Sequence, residues 1–206
     1  MKNRNFPIFT VIMRHYTLEQ ALLVTEVLSE FEGKFAVEVT LNTENAYKII
    51  SQLQNSFGKK VQVGAGTVRN LEEAQKSVEA GATFLLGPHT FTEEIFDFCK
   101  AKNIIAVPSA MTPSEINKMI NLGADIVKVF PASVVGATFF KDVQAPLGKL
   151  PLMAVGGVSY ENASDFLKHD VTYLGMGSAM FSKDTLAHLN TNEIKAICEK
   201  YLKLIN

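Results

Sequence analysis

The chain has 206 residues, 47% of them hydrophobic, and its 20 Lys and Arg nearly balance 21 Asp and Glu for a formal charge of -1. That is the profile of a soluble globular protein rather than a disordered one. With no basic run longer than Lys59-Lys60, it lacks the electrostatic footprint of a nucleic-acid binder.

In chain order, short apolar or β-branched runs alternate with segments of helical spacing, the pattern of repeated βα units on a parallel sheet. The opening segment does not read as a targeting signal. Its apolar run is short, broken by Pro7 and followed by Arg14 and His15, and no stretch nears the ~18 apolar residues of a membrane span. A first strand is expected over 8–13, with Arg14 at its end, where it could bind a substrate carboxylate or orient an acidic neighbour. Thr17-Leu18-Glu19-Gln20 then carries the capping chemistry of a helix start. The second strand, 35–41, places Val37, Val39 and Leu41 on one face and Glu38 and Thr40 on the other. The third, 62–64, runs into Gly64-Ala65-Gly66-Thr67, which lacks the last glycine of a dinucleotide fingerprint.

Asn70-Leu71-Glu72-Glu73 opens the next helix and Gly81 closes it. The fourth strand, 83–86, leads into Gly87-Pro88-His89. His89 could line a pocket or sit on its rim, but His15, His89, His169 and His188 are not at ligand spacing, so no metal is expected. Cys99 and Cys198 lack a CxxC or CxxH neighbour, which leaves a reducing cytoplasm as the default location. Helix starts at Thr92-Glu93-Glu94 and Thr112-Pro113-Ser114-Glu115 flank a fifth strand, 104–107, and Gly123 ends the second of these helices.

The sixth strand, 126–130, has one lysine in an otherwise apolar run. Ile126, Lys128 and Phe130 share a face opposite Val127 and Val129. If that face is interior, burial lowers the pKa of Lys128 and makes it a nucleophile for a ketone. Otherwise the side chain snorkels to the rim. An interior Glu38 beside it is either half of a structural ion pair or the group that moves protons during carbon–carbon cleavage. The seventh strand, 152–155, ends in Gly156-Gly157, and the eighth, 172–175, in Gly175-Met176-Gly177-Ser178. These glycines either make tight turns or let backbone amides approach a phosphate, whose site in barrels commonly follows strands seven and eight. Eight units of about 25 residues favour a single (β/α)8 TIM barrel over residues 1–206, with function at the C-terminal strand ends. An open doubly wound sheet is the competing α/β architecture.

Arg14, Val37-Glu38-Val39-Thr40-Leu41, Gly64-Ala65-Gly66-Thr67-Val68, Lys128-Val129-Phe130-Pro131-Ala132 and Gly156-Gly157-Val158 form an ordered series spanning nearly the whole chain. Together they resemble the 2-keto-3-deoxy-6-phosphogluconate aldolase family, which includes the 4-hydroxy-2-oxoglutarate and 2-keto-3-deoxy-6-phosphogalactonate aldolases. The resemblance implies a cofactor-free class I aldolase that assembles as a homotrimer, acting on a phosphorylated keto acid and pyruvate and needing neither nucleic acid nor membrane. Lys128 would form the Schiff base and Glu38 would be the general acid/base. Arg14, Asn42, Thr67, Pro88 and Phe130 would contact substrate, and Gly156, Gly157 and Ser178 would hold phosphate. Asn42 departs from the arginine of the phosphogluconate enzymes and, with Arg14, resembles the galactonate type. Gly87 and Ser109 replace a serine and a glycine of the usual pattern. The expected reaction is retro-aldol cleavage of a 2-keto-3-deoxy-6-phospho sugar acid to pyruvate and glyceraldehyde 3-phosphate. The alternatives are cleavage of 4-hydroxy-2-oxoglutarate to pyruvate and glyoxylate, and a non-catalytic barrel that binds a phosphorylated acid.

Overall fold

The structure is a computed structural model that describes residues 5–205; residues 1–4 of the segment read above for a targeting signal lie outside them. Nine parallel strands run in sheet order β5-β4-β3-β2-β1-β9-β8-β7-β6. They are β1 (Phe9–Met13), β2 (Phe35–Thr40), β3 (Gln62–Gly66), β4 (Phe84–Leu86), β5 (Ile105–Val107), β6 (Ser109–Ala110), β7 (Val127–Val129), β8 (Leu152–Val155) and β9 (Tyr173–Met176). The two ends of this order, β5 and β6, are consecutive in the chain across Pro108. Proline has no N–H for the ladder, so it separates the expected fifth strand from a continuation the sequence did not indicate, at the point where the strand changes partner. β5 pairs with β4 and β6 with β7. Hydrogen bonds from Ile126 N to Ala106 O (3.4 Å) and Lys128 N to Pro108 O (2.9 Å) carry the pairing across the break. The sheet thereby closes into the expected barrel of eight staves.

Alternation along the strands sorts their side chains into two apolar layers. Phe9, Val11, Val37, Val39, Val127 and Val129 face outward and pack with the helices. Ile12, Ala36, Phe84, Ile105, Ile126 and Met153 fill the barrel interior. The interior register therefore continues from Ala36 to Glu38 and Thr40, and from Ile126 to Lys128.

Helices α1 (Leu18–Leu28), α2 (Ala46–Phe57), α3 (Leu71–Glu79), α4 (Glu93–Lys102), α5 (Pro113–Leu122), α6 (Ala132–Val135), α7 (Thr138–Leu147), α8 (Tyr160–Lys168), α9 (Lys183–His188) and α10 (Thr191–Leu202) alternate with the strands. Their starts follow the sequence. Thr17 and Thr112 form capping boxes with Gln20 and Glu115, and Asn70 accepts from Glu73 N. Thr92 makes no such cap bond; its hydroxyl donates to Glu94 instead, at 3.4 Å. Gly81 and Gly123 have φ of 104° and 102°, the left-handed geometry that ends a helix. Among the described residues no helix is long and apolar enough to cross a membrane.

Candidate active site

Lys128 and Glu38 are 6% and 2% exposed at the C-terminal ends of β7 and β2. No ion pair within 4 Å joins them among the described residues, and Glu38 Oε2 has no hydrogen-bond partner. The structural salt bridge left open by the sequence is therefore absent. Burial pushes the Glu38 carboxyl above its ordinary range, an effect that the charges of Lys128 and Arg14 partly offset. Burial likewise pushes the Lys128 ammonium down; Glu38 opposes this and Arg14 adds to it. Both directions favour neutral forms. A neutral buried amine can attack a carbonyl, and a protonated carboxyl can give and retrieve protons.

The glycines of β3 have a purpose that the sequence did not separate from turn making. A Cβ on Gly64 would collide with the Phe84 ring, and one on Gly66 with the Glu38 carboxylate. Gly66 is thus the space in which Glu38 lies. Thr67, the next residue, leaves the strand at φ 61° and is half-buried.

Above Lys128, its Nζ lies 5.2 Å from the centroid of the Phe130 ring. That ring forms one wall of a cavity of about 730 Å³ also lined by Arg14, Gly156, Gly157 and Ser178. Gly156 and Gly157 have φ of 91° and 75°, and side chains there would press on the Phe130 ring and on Ser133 respectively. The two glycines serve turn geometry and close packing at once. The cavity also takes in His15, Tyr16, Gln20 and Lys183, which the sequence reading missed. The available signal was position, since Tyr16 lies just after a strand end, Gln20 is in the first turn of the helix that follows it, and Lys183 follows the loop after β9. Arg14 and Lys183 bring positive charge, and no Asp or Glu of the described residues lines the cavity. The lining therefore suits an anion.

Lys128, Glu38 and Thr67 are not themselves part of this lining, and neither are Asn42 and Pro88. Asn42 Oδ1 accepts from Arg14 Nη1 at 3.5 Å. Pro88, after β4, is half-buried and does not border the cavity, and neighbouring His89 is exposed with Nδ1 2.7 Å from Thr90 O. A second cavity of about 530 Å³ lies between α4 and the end of α5, beside Phe96 and Leu122, and holds none of the predicted residues.

The family model described as "KDPG and KHG aldolase" matches residues 1–197. The chain is 26% identical over 174 residues to a 2-dehydro-3-deoxy-phosphogluconate aldolase of Treponema pallidum, covering 84% of this chain and 82% of that one. It is 25% identical over 195 residues to a 2-dehydro-3-deoxy-6-phosphogalactonate aldolase of Escherichia coli, covering 94% of each. A solved structure described as "Native KDPGal structure" superposes with a TM-score of 0.87 at 24% identity, over 100% of this chain and 99% of that one.

Proposed function

The chain belongs to the KDPG and KHG aldolase family and is a carbon–carbon lyase, and from that premise we propose that it cleaves a 2-keto-3-deoxy-6-phospho sugar acid through an imine on Lys128. The observation that carries this reading is the pair of buried, unbridged ionisable groups, Lys128 and Glu38, next to a cation-bearing cavity. Both relatives described above are named for substrates of this class.

In the proposed reaction, neutral Lys128 Nζ attacks the C2 ketone, and the carbinolamine, its hydroxyl protonated by the Glu38 carboxyl, loses water to give a protonated imine. Glu38, by now a carboxylate, takes the proton of the C4 hydroxyl. The C3–C4 bond breaks, its electrons flow into the iminium to form an enamine, and glyceraldehyde 3-phosphate leaves. Glu38 returns the proton to C3, and water then releases pyruvate and restores the amine. Arg14, tethered to Asn42, binds the carboxylate, while the Phe130 ring and Thr67 flank the pyruvyl carbons. Pro88 shapes the adjoining loop, and Gly156, Gly157 and Ser178 hold the phosphate with Lys183 beside them. The enzyme works as a homotrimer in the cytoplasm. Two buried cysteines fit a reducing compartment, and Val134, 67% exposed, is an apolar side chain that a neighbouring copy could cover.

Incubation with pyruvate and borohydride tests the mechanism: a pyruvate-derived mass is expected on the peptide containing Lys128. An unmodified Lys128 in folded protein sinks it. Release of pyruvate, followed with lactate dehydrogenase, ranks the phosphogluconate, phosphogalactonate and hydroxyoxoglutarate substrates. Release from none of them would favour the non-catalytic reading.

A further inference from the structure

One hydroxyl holds the backbone on both sides of Arg14. His15 N donates to Thr43 Oγ1 at 2.9 Å, and Thr43 Oγ1 donates to Met13 O at 3.3 Å. A hydroxyl has a single hydrogen. The 3.0 Å link between Thr43 Oγ1 and Thr40 Oγ1 must therefore be donated by Thr40. Thr40 stands on the interior face of β2, two residues beyond Glu38, and the two threonines are 0% and 5% exposed. Through them the turn after β1 is tied to the strand that carries Glu38.

This tie matters because Arg14 has little else to place it. Its side chain is exposed, with one long hydrogen bond, 3.5 Å to Asn42 Oδ1, and Asn42 precedes Thr43. His15 sits at φ 60°, a left-handed conformation uncommon outside glycine, so the turn needs a restraint to keep its shape. The charge of Arg14 is felt by both Glu38 and Lys128, which means a displaced root would also alter the buried pair.

We propose that Thr43 is the positioning residue for Arg14: its hydroxyl, buttressed by Thr40, clamps Met13 O and His15 N and so aims the guanidinium at the keto acid's carboxylate. This rests on the function proposed above. Thr43→Val keeps the shape and removes the hydroxyl, whereas Thr43→Ser keeps the hydroxyl. With the phosphorylated keto acid that the enzyme prefers, Thr43→Val is expected to raise KM about tenfold with kcat within about threefold, and Thr43→Ser to stay within about twofold of wild type. A double-mutant cycle supplies the decisive readout. In an Arg14→Met background Thr43→Val should have no further effect on KM, because the side chain it aims is gone.

An unchanged KM in Thr43→Val, an effect of equal size with and without Arg14, or equal losses in the valine and serine variants would each overturn the proposal. Should Thr43→Val fail to fold, Thr40→Val removes only the buttress. The same cycle then predicts a rise in KM of about threefold that vanishes with Arg14→Met, and no rise overturns the idea. Borohydride labelling of wild-type Lys128 separates the two levels of failure. An unlabelled wild type refutes the reaction itself, whereas labelled wild type with an additive cycle refutes only the role of Thr43.

Discussion

Glu38 and Lys128 were legible because a single charge in a run of β-branched and apolar residues has few innocent explanations in a parallel strand covered on both faces. Alternation then indicated which way each side chain points, and the two-layer core bears this out. Lys183, Tyr16 and Gln20 offered no such contrast. A lysine beginning a helix, an aromatic in a loop and a capping glutamine are ordinary in sequence, and only closure of the barrel brings them to one cavity. The buried pair makes a paired prediction. Glu38→Gln should lower kcat by about 10²–10⁴ by removing the proton carrier. Because the carboxylate's charge raises the Lys128 pKa, its loss should also move the pH at which borohydride trapping of pyruvate becomes half-maximal downward. Trapping needs the neutral amine, and burial has already set that midpoint below the ordinary lysine value. A trapping profile in Glu38→Gln that moves upward would contradict the coupling.

At the level of elements, the strands were readable because parallel-sheet runs are apolar and the turns after them are rich in glycine and proline. Their limits were less so. Pro108 hid the continuation into Ser109–Ala110, which is held by pairing to β7, and the third strand runs through Gly66 where its glycines suggested an early end. Glycines also show how one residue type answers different demands, and two substitutions separate them. Gly123 ends α5 at φ 102° with nothing within 4 Å of a would-be side chain. Gly123→Ala should therefore cost about 1 kcal/mol of backbone strain and leave kcat unchanged. Gly66→Ala must displace either β3 or the Glu38 carboxylate. Overpacking there should cost about 1–3 kcal/mol and lower kcat as well. Urea denaturation together with initial rates measures both; full activity in Gly66→Ala would mean that Glu38 has more room than the structure gives it.

For the whole molecule, the barrel is an apolar plug of Phe84, Ile105, Ile126 and Met153 with two ionisable groups buried toward its C-terminal mouth. Those groups work against folding. The carboxyl of Glu38 has its pKa raised, so in the window above its ordinary 4.5 the folded state holds the proton more tightly than the unfolded chain, and stability falls as pH rises. Lys128 has its pKa lowered, so below its ordinary 10.5 the unfolded chain binds the proton more readily, and stability falls as pH drops. The two penalties overlap around neutrality. Replacing both groups with neutral side chains of similar length, in Lys128→Met with Glu38→Gln, should therefore raise stability at pH 7 by about 1–4 kcal/mol while abolishing turnover. The gain should narrow below about pH 4.5 and above about pH 10.5, where one group or the other becomes neutral in the unfolded chain. Lys128→Met alone should gain less, because it leaves the Glu38 carboxyl without its nearby cation and raises the cost of ionising it. Urea unfolding at acid, neutral and alkaline pH distinguishes these cases. A double variant less stable than wild type at pH 7 would mean that the pair contributes to stability, and that selection for the reaction is not needed to explain two charges inside the barrel.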